Sequence, residues 1–592
     1  MFRRSRRAVL GIILLAAITA AIGVVAPSVS ASEPIVVREL VEKRTECSNT
    51  YLLSNGQYRC VTYQAPVNYR AADDSWQPID TSLIPVSGMD VYATAATPIE
   101  VTLADEAPGR KPVSVSGGEW TVSMNLVGWT EDEKIIVDDT AVYANVAPAT
   151  DVAYTVMGDG LKEVITLSSP GAPDTFTYRL THPGLELRQG DQGQWALYEP
   201  GSSTPVFCVG AMNACDSSLD EADEPAWCDG AAMTVVPGPG KSSITYHVPR
   251  AWLDDPVRVY PVKIDPSLDV SNKVDTYLSQ GYPGTSFGTS ADLLCGRMNS
   301  DAGKCRTLVR FAGLGVLGSG DVPAGADITG ASFRLRQYWQ PETHQDSVYV
   351  GRLTAGSTWY ETSTYNNANS GLEIQSTWPA QTVSGTGVWM SISCAAVTED
   401  WYLNGGNKGF IVYEPDASGS GYSRKFRASE YSGTDYDPNL NVDYTPDSAR
   451  PSTQASGLQA SQNSGWRTGD QYVELNATDP NNGANPGSQV DVIKYRIDAG
   501  ALVTIPGPFM SFTVSGAGQH TVTYYAVDVA GNTEVAKTGY VNIDAAAPTT
   551  TATGLQANNT SGWRTTSQSV SLSASDPSPG SGVAHTYYRI DG

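Results

Sequence analysis

Ile328-Thr329-Gly330-Ala331-Ser332-Phe333-Arg334-Leu335-Arg336 is the stretch that decides the fold. Ala331, Phe333 and Leu335 point one way along an extended chain, and Ser332, Arg334 and Arg336 point the other. Such alternation predicts a half-buried antiparallel strand. The same kind of run lies on both sides of it. Upstream are Val274-Asp275-Thr276-Tyr277-Leu278, Asp292-Leu293-Leu294-Cys295-Gly296 and Arg306-Thr307-Leu308-Val309-Arg310-Phe311. Downstream is Pro438-Asn439-Leu440-Asn441-Val442-Asp443-Tyr444. Many short strands punctuated by Gly, Pro and Asp predict a β-sandwich or barrel over residues 265–445.

Within this stretch, Asp275-Thr276-Tyr277-Leu278, the Ala331 to Arg336 strand, and Trp359-Tyr360-Glu361 with Thr364-Tyr365-Asn366-Asn367 carry a resemblance. So do Val397 to Trp401, Asn404 to Phe410, Ala428-Ser429-Glu430 and Leu440 to Tyr444. The stretch resembles the DNRLRE-type domain, grouped with carbohydrate-binding module family 96 and disaggregatase-related proteins. Two turns depart from that pattern, Ser286-Phe287-Gly288 and Thr364-Tyr365-Asn366. The resemblance implies a jelly-roll sandwich that binds polysaccharide without cutting it. Jelly-roll carbohydrate modules also carry structural calcium in many cases, and Asp275 near the domain start is the position to watch. No cofactor is required by this reading.

The chain begins with a basic segment, Arg3, Arg4, Arg6 and Arg7, then an apolar run from Ala8 to Ala26, then Val29-Ser30-Ala31. This predicts a secretory signal peptide over residues 1–31. No second apolar span of that length follows, so no membrane partner is expected after cleavage. Removing those four arginines from the 38 basic residues leaves 34 against 62 acidic, a net charge of −28. Such a surface repels polyanions, so the charge predicts no nucleic-acid partner. With 592 residues and 41% hydrophobic content, the chain is long and apolar enough for about four cored domains.

Eight cysteines in an exported chain favour disulfides over metal thiolates. Cys295 and Cys305 flank a Gly/Asn/Asp-rich turn and are expected to staple a hairpin. Closing that loop would stabilise by about 3 kcal/mol in the chain-entropy model. Cys47 and Cys60 bracket the Asn55-Gly56 turn and form a second candidate pair, one that needs a bulge. Cys208, Cys215, Cys228 and Cys394 stay unassigned.

Residues 32–264 also read as short strands, among them Tyr58 to Tyr63, Trp120 to Val127, Glu163 to Leu167, Thr175 to Leu180 and Ser243 to Val248. Tyr58 to Tyr63 with Trp76-Gln77-Pro78-Ile79-Asp80, and Tyr260 to Pro266, resemble the N-terminal β region of large exported RHS/YD-repeat wall proteins. That resemblance is architectural. The acidic segment between Cys208 and Cys228 reads as a surface loop.

A Pro/Ser/Thr-rich linker, 446–456, leads into a repeat. Gly457-Leu458-Gln459-Ala460 and Ser464-Gly465-Trp466-Arg467-Thr468 recur as Gly554-Leu555-Gln556-Ala557 and Ser561-Gly562-Trp563-Arg564-Thr565. A period near 95 residues suits immunoglobulin-like sandwiches. It resembles bacterial Ig-like surface repeats of the OmpL type, with repeat 1 over 457–544 and an incomplete repeat 2 over 545–592. The sequence is therefore expected to be part of a longer protein.

No Gly-x-Ser-x-Gly elbow, His-Glu-x-x-His or phosphate-loop motif is present. His247 reads as structural. Glu361, Glu399, Asp400 and Glu430 could in principle pair as glycosidase acids, but nothing in their surroundings raises a pKa, and turn or structural roles are expected. Aromatic side chains are the better lead, because sugar C–H faces pack on flat rings. Tyr277, Tyr282, Trp339, Trp359, Tyr360, Tyr365, Trp378 and Trp389 crowd the central stretch. Tyr282, Trp339, Tyr365 and Trp378 lie beside Gly, Pro, Asn or Gln and are the predicted carbohydrate-binding residues. Trp401, four residues after Val397 on a short helical turn, is expected in the core.

The sequence thus predicts an all-β, secreted or wall-exposed, non-enzymatic protein that binds polysaccharide or cell-wall glycan through its central module. The alternative is the structural N-terminal part of a larger RHS/YD-repeat-type wall protein or adhesin. A third reading places a polysaccharide-degrading active site in residues 33–264.

Overall fold

A computed structural model describes residues 34–592 apart from positions 90, 105–112, 129–132, 191–193, 220–223, 266, 270–273, 298–302, 341–347, 379–384, 415–421, 432–435, 463–464, 561 and 592. The predicted signal peptide lies outside the described residues. Strands dominate, and no described helix is long and apolar enough to cross a membrane. The longest described helix is Ala395–Asn404, and it buries Trp401.

Two sheets form the first sandwich. One runs from Ala232–Val236 through Lys241–His247, Thr175–Thr181 and Trp120–Leu126 to Asp80–Pro85. The other contains Thr140–Ala147, Thr150–Val156, Gly160–Leu167 and Pro205–Val209. Thr150–Val156 alternates strictly between buried and half-buried residues, as a strand with one face on a core must. Val122, Tyr178 and Ile244 from the first sheet meet Tyr154, Ile165 and Phe207 from the second in one apolar cluster.

The central sheet has thirteen strands, and they do not follow the boundary drawn at residue 264. Val36–Glu39, Ser48–Leu53 and Tyr58–Tyr63 extend it by antiparallel pairing of Tyr58–Tyr63 with Asn439–Thr445. Arg59 grips Asp443 through two hydrogen bonds of 2.7 and 2.8 Å across that pair. Val262–Asp265 and Ser267–Asp269, in turn, pair with Gly160–Leu167 of the first sandwich. The central core holds Phe333, Leu335, Met390, Trp401, Phe410, Leu440 and Val442.

Repeat 1 is a sandwich of a three-stranded and a four-stranded sheet around Val473, Leu475, Ile493, Val522 and Val541. Repeat 2 contributes the paired strands Thr549–Thr553 and Ser571–Ser575. The repeated loop is kept in both copies, since the Gln459 amide donates to the Gly465 carbonyl and the Gln556 amide to the Gly562 carbonyl.

The predicted disulfides are not formed. None of the eight cysteines is joined in a disulfide, and six of them are buried. The reason is register. Cys305 lies opposite Gly296, not Cys295, so the two thiols point to opposite faces of the sheet. Cys295 enters the central core, while Cys305 packs with Tyr277 and Phe287. Cys60 lies opposite Thr50, and Cys47 is three residues further on. A one-residue offset suffices to separate two side chains on neighbouring strands. Thiol titration of the unreduced, denatured chain is expected to find all eight, and reductant should leave the melting temperature unchanged.

Candidate functional site

The strand Asp327–Trp339 carries the site on its outward side. Phe333 and Leu335 are wholly buried, so Arg334, Arg336 and Tyr338 face away from the core. The neighbouring strand Val388–Ser393 does the same: Met390 and Ile392 go inward, and Trp389 goes outward opposite Arg336. The outcome is a continuous row of rings and guanidinium groups. Arg334 lies 4.5 Å from the centre of the Trp389 ring, and Arg336 lies 5.7 Å from it. Arg336 also reaches Tyr436 at 5.4 Å, and Tyr436 meets Tyr431 edge-on at 5.8 Å. Arg427 closes the row, 4.0 Å from Tyr431 and 3.5 Å from Tyr338. Such contacts contribute about 0.5–2 kcal/mol each and hold the rings in fixed orientations.

Polar groups border this row. Arg427 donates to Asp292 at 2.8 Å. Burial, and then the Asp292 charge, push the Tyr338 phenol upward, so it stays a neutral hydroxyl. Asn439 lies opposite Arg334 and Asn441 opposite Ser332, both buried. The side-chain carbonyl of each asparagine accepts no hydrogen bond among the described residues. Flat rings beside amides and guanidiniums are what a pyranose needs, one partner for its C–H face and others for its hydroxyls.

The four aromatics predicted from sequence are not brought together. Tyr282 and Trp339 both pack on the Tyr277–Phe287 cluster, Trp378 on the central core near Phe410, and Tyr365 on a third cluster around Trp359. All four are half-buried. Trp389 was within reach of sequence reading: it is the one ring on the polar side of the alternating run Val388–Ser393. The tight Ser286-Phe287-Gly288 turn has a packing cause, because a Cβ on Gly288 would lie 2.3 Å from the Glu361 carbonyl oxygen. Among the four acids, Asp400 pairs with Arg352 at 2.6 Å, and Glu430 accepts a bond from Ser429 at 2.9 Å.

One group of carboxylates could hold a cation. Oxygens of Asp447, Asp479 and Asp528 all lie within 4.8 Å of one another, where the linker meets repeat 1. Burial, and then the charges of Asp447 and Asp528, hold the Asp479 carboxyl above its usual range. Three carboxylates supply part of the six to eight oxygens that calcium takes. Asp275 is fully buried and accepts a bond from the Ser429 amide at 3.0 Å, with the Ser429 hydroxyl oxygen 3.2 Å away.

No family model matches the sequence. Three curated relatives do. The chain is similar to tRNA nucleases named WapA. The tRNA(Glu)-specific nuclease WapA of Bacillus subtilis subsp. natto is 24% identical over 438 residues, 69% of this chain and 18% of the relative. The tRNA nuclease WapA of Bacillus subtilis strain 168 is 24% identical over 448 residues, with the same shares. The tRNA3(Ser)-specific nuclease WapA of Bacillus spizizenii is 23% identical over 447 residues, 70% of this chain and 18% of the relative. The chain thus spans under a fifth of the length of these relatives. A glycoside hydrolase domain of Endo-D from Streptococcus pneumoniae superposes with a TM-score of 0.11 at 10% identity, covering 42% of this chain and 37% of that one. That value carries no argument.

These names overturn two expectations. The sequence reading made the protein non-enzymatic and gave it no nucleic-acid partner, the second on net charge. Relatives named as tRNA nucleases remove both. The physical flaw is one of scale: net charge averages a whole chain, whereas binding and catalysis belong to local sites.

Proposed function

We propose that this chain is the sheet-built, glycan-binding portion of an exported, wall-exposed protein whose overall activity, like that named for its relatives, is cleavage of tRNA. The observation that carries the glycan part is the row from Arg334 through Trp389, Arg336, Tyr436, Tyr431 and Arg427 to Tyr338. Two or three ring platforms with amide and guanidinium donors give millimolar to micromolar affinity, roughly −4 to −8 kcal/mol. The sandwiches on either side set the reach of this face, and many copies on one wall would add avidity.

Two assays on the chain from residue 32 test the proposal. Affinity electrophoresis through gels containing wall and plant polysaccharides should retard it in at least one glycan. Retardation in none removes the glycan part. Incubation with total tRNA, followed by denaturing electrophoresis, tests the other part. Cleavage would place the nuclease chemistry among these residues, and intact tRNA would remove that activity from this chain.

A further inference from the structure

A second feature adjoins the ring row. The turn Met157–Gly160 of the first sandwich and the segment Ala65–Pro66 face Ser429–Tyr431 and Asp437 across a cavity of about 290 Å³. Gly158 lets the turn pack closely on the Ala65–Pro66 segment, since a Cβ there would lie 2.9 Å from the Pro66 carbonyl oxygen. Tyr431 lines this cavity and also belongs to the ring row, so one ligand can occupy both.

The cavity wall has two characters. Ile79, Val156 and Met157 supply apolar lining. Asp159 on the turn and Asp437 on the facing wall add carboxylates, at 0% and 3% exposure. More acids stand behind them. Ser429 on the wall donates its amide to Asp275 and its hydroxyl to Glu430, both buried. Glu46 nearby is held above the usual carboxylate range by burial and then by Asp159 and Asp321. A cavity with several carboxylates about it, screened from water, favours a cationic guest. Its volume is at the lower end for ligand pockets, about one sugar unit. The apolar lining suits a ring rather than a bare ion.

We propose that this cavity is a subsite for a glycan unit carrying a protonated amine, an amino sugar without its acetyl group. The ammonium would sit in the field of Asp159 and Asp437, the ring would lie along Ile79 and Met157, and the next unit would run out over Tyr431. The inference rests on the glycan reading above and names its ligand class.

Calorimetry of the whole chain with a β-1,4-glucosamine hexamer and with its fully N-acetylated counterpart tests it. The free amine is expected to bind about tenfold tighter, one strong charge-assisted contact. Asp159→Asn and Asp437→Asn should remove that preference and leave binding of the acetylated hexamer unchanged. Thr81→Trp, which adds bulk at a lining residue and alters no charge, should remove it too, so the test survives if one Asn variant fails to fold. Equal affinity for the two hexamers overturns this inference and leaves the glycan reading standing. Loss of all glycan binding overturns both. Tight binding of calcium alone, abolished by Asp159→Asn and without amine preference, would make the cavity a metal site and overturn the inference.

Discussion

Lys425→Met is expected to destabilise the protein by about 3–5 kcal/mol, the cost of stranding one member of a buried ion pair. Lys425 and Glu224 meet at 2.6 Å with side chains 2% and 7% exposed. Glu224 comes from the acidic segment before Cys228, which sequence reading placed on the surface; here it is clamped against the central module. Trp227, three residues on, packs edge-to-face on Phe287 at 5.1 Å. Removing the ammonium leaves a carboxylate that water cannot reach. The pH dependence identifies the cause. Burial lifts the Glu224 carboxyl to about 7, with Lys425 opposing the rise. Its folded value therefore exceeds its unfolded value near 4.5. The folded state keeps its proton longer, so this group lowers stability as pH rises from about 4.5 to about 7 and adds no further slope above. In Lys425→Met the rise extends to higher pH. The deficit of the variant should accordingly be small at about pH 5, where Glu224 is neutral, and largest at about pH 8. Urea unfolding at the two pH values measures this. An equal deficit at both would assign the loss to packing on Trp339, over whose ring the Lys425 ammonium lies at 5.4 Å.

Phe410→Ala should cost as much, about 3–5 kcal/mol, through a cavity rather than a charge. Phe410 is fully buried and stacks on Phe333 at 4.4 Å with the rings 6° apart. Trp401 meets it at 5.0 Å and Trp378 at 5.8 Å. Three rings around one cannot collapse into its volume without leaving their rotamers. The variant should lose near-ultraviolet circular dichroism from Trp401 and Trp378 while its strand signal persists. A cost below about 1 kcal/mol would mean that this core is loosely packed.

Local pattern was legible in the sequence because alternation acts over neighbouring residues. Phe333 and Leu335 face the core, Arg334 and Arg336 face out, and Trp401 is buried on its helix. What required the fold was pairing between distant segments. Tyr58–Tyr63 pairs with Asn439–Thr445, with Arg59 and its partner Asp443 384 positions apart, and no local signal marks that partner. Register was hidden for the same reason. A plausible hairpin spacing for Cys295 and Cys305 says nothing about the single-residue offset that sends them to opposite faces. The ring row was half legible. Arg334 and Arg336 could be placed outward from sequence, but Tyr431 and Arg427 join Trp389 only through the arrangement of three strands and a loop.

The most direct measurement is affinity electrophoresis of the intact chain beside Trp389→Ala and Arg336→Ala, in the glycan that retards the parent most. Both residues are half-exposed, so their loss should leave the circular dichroism unchanged. Loss of one platform or one guanidinium should weaken retention by about tenfold each. Variants retarded as strongly as the parent would show that glycan binds elsewhere and contradict the account.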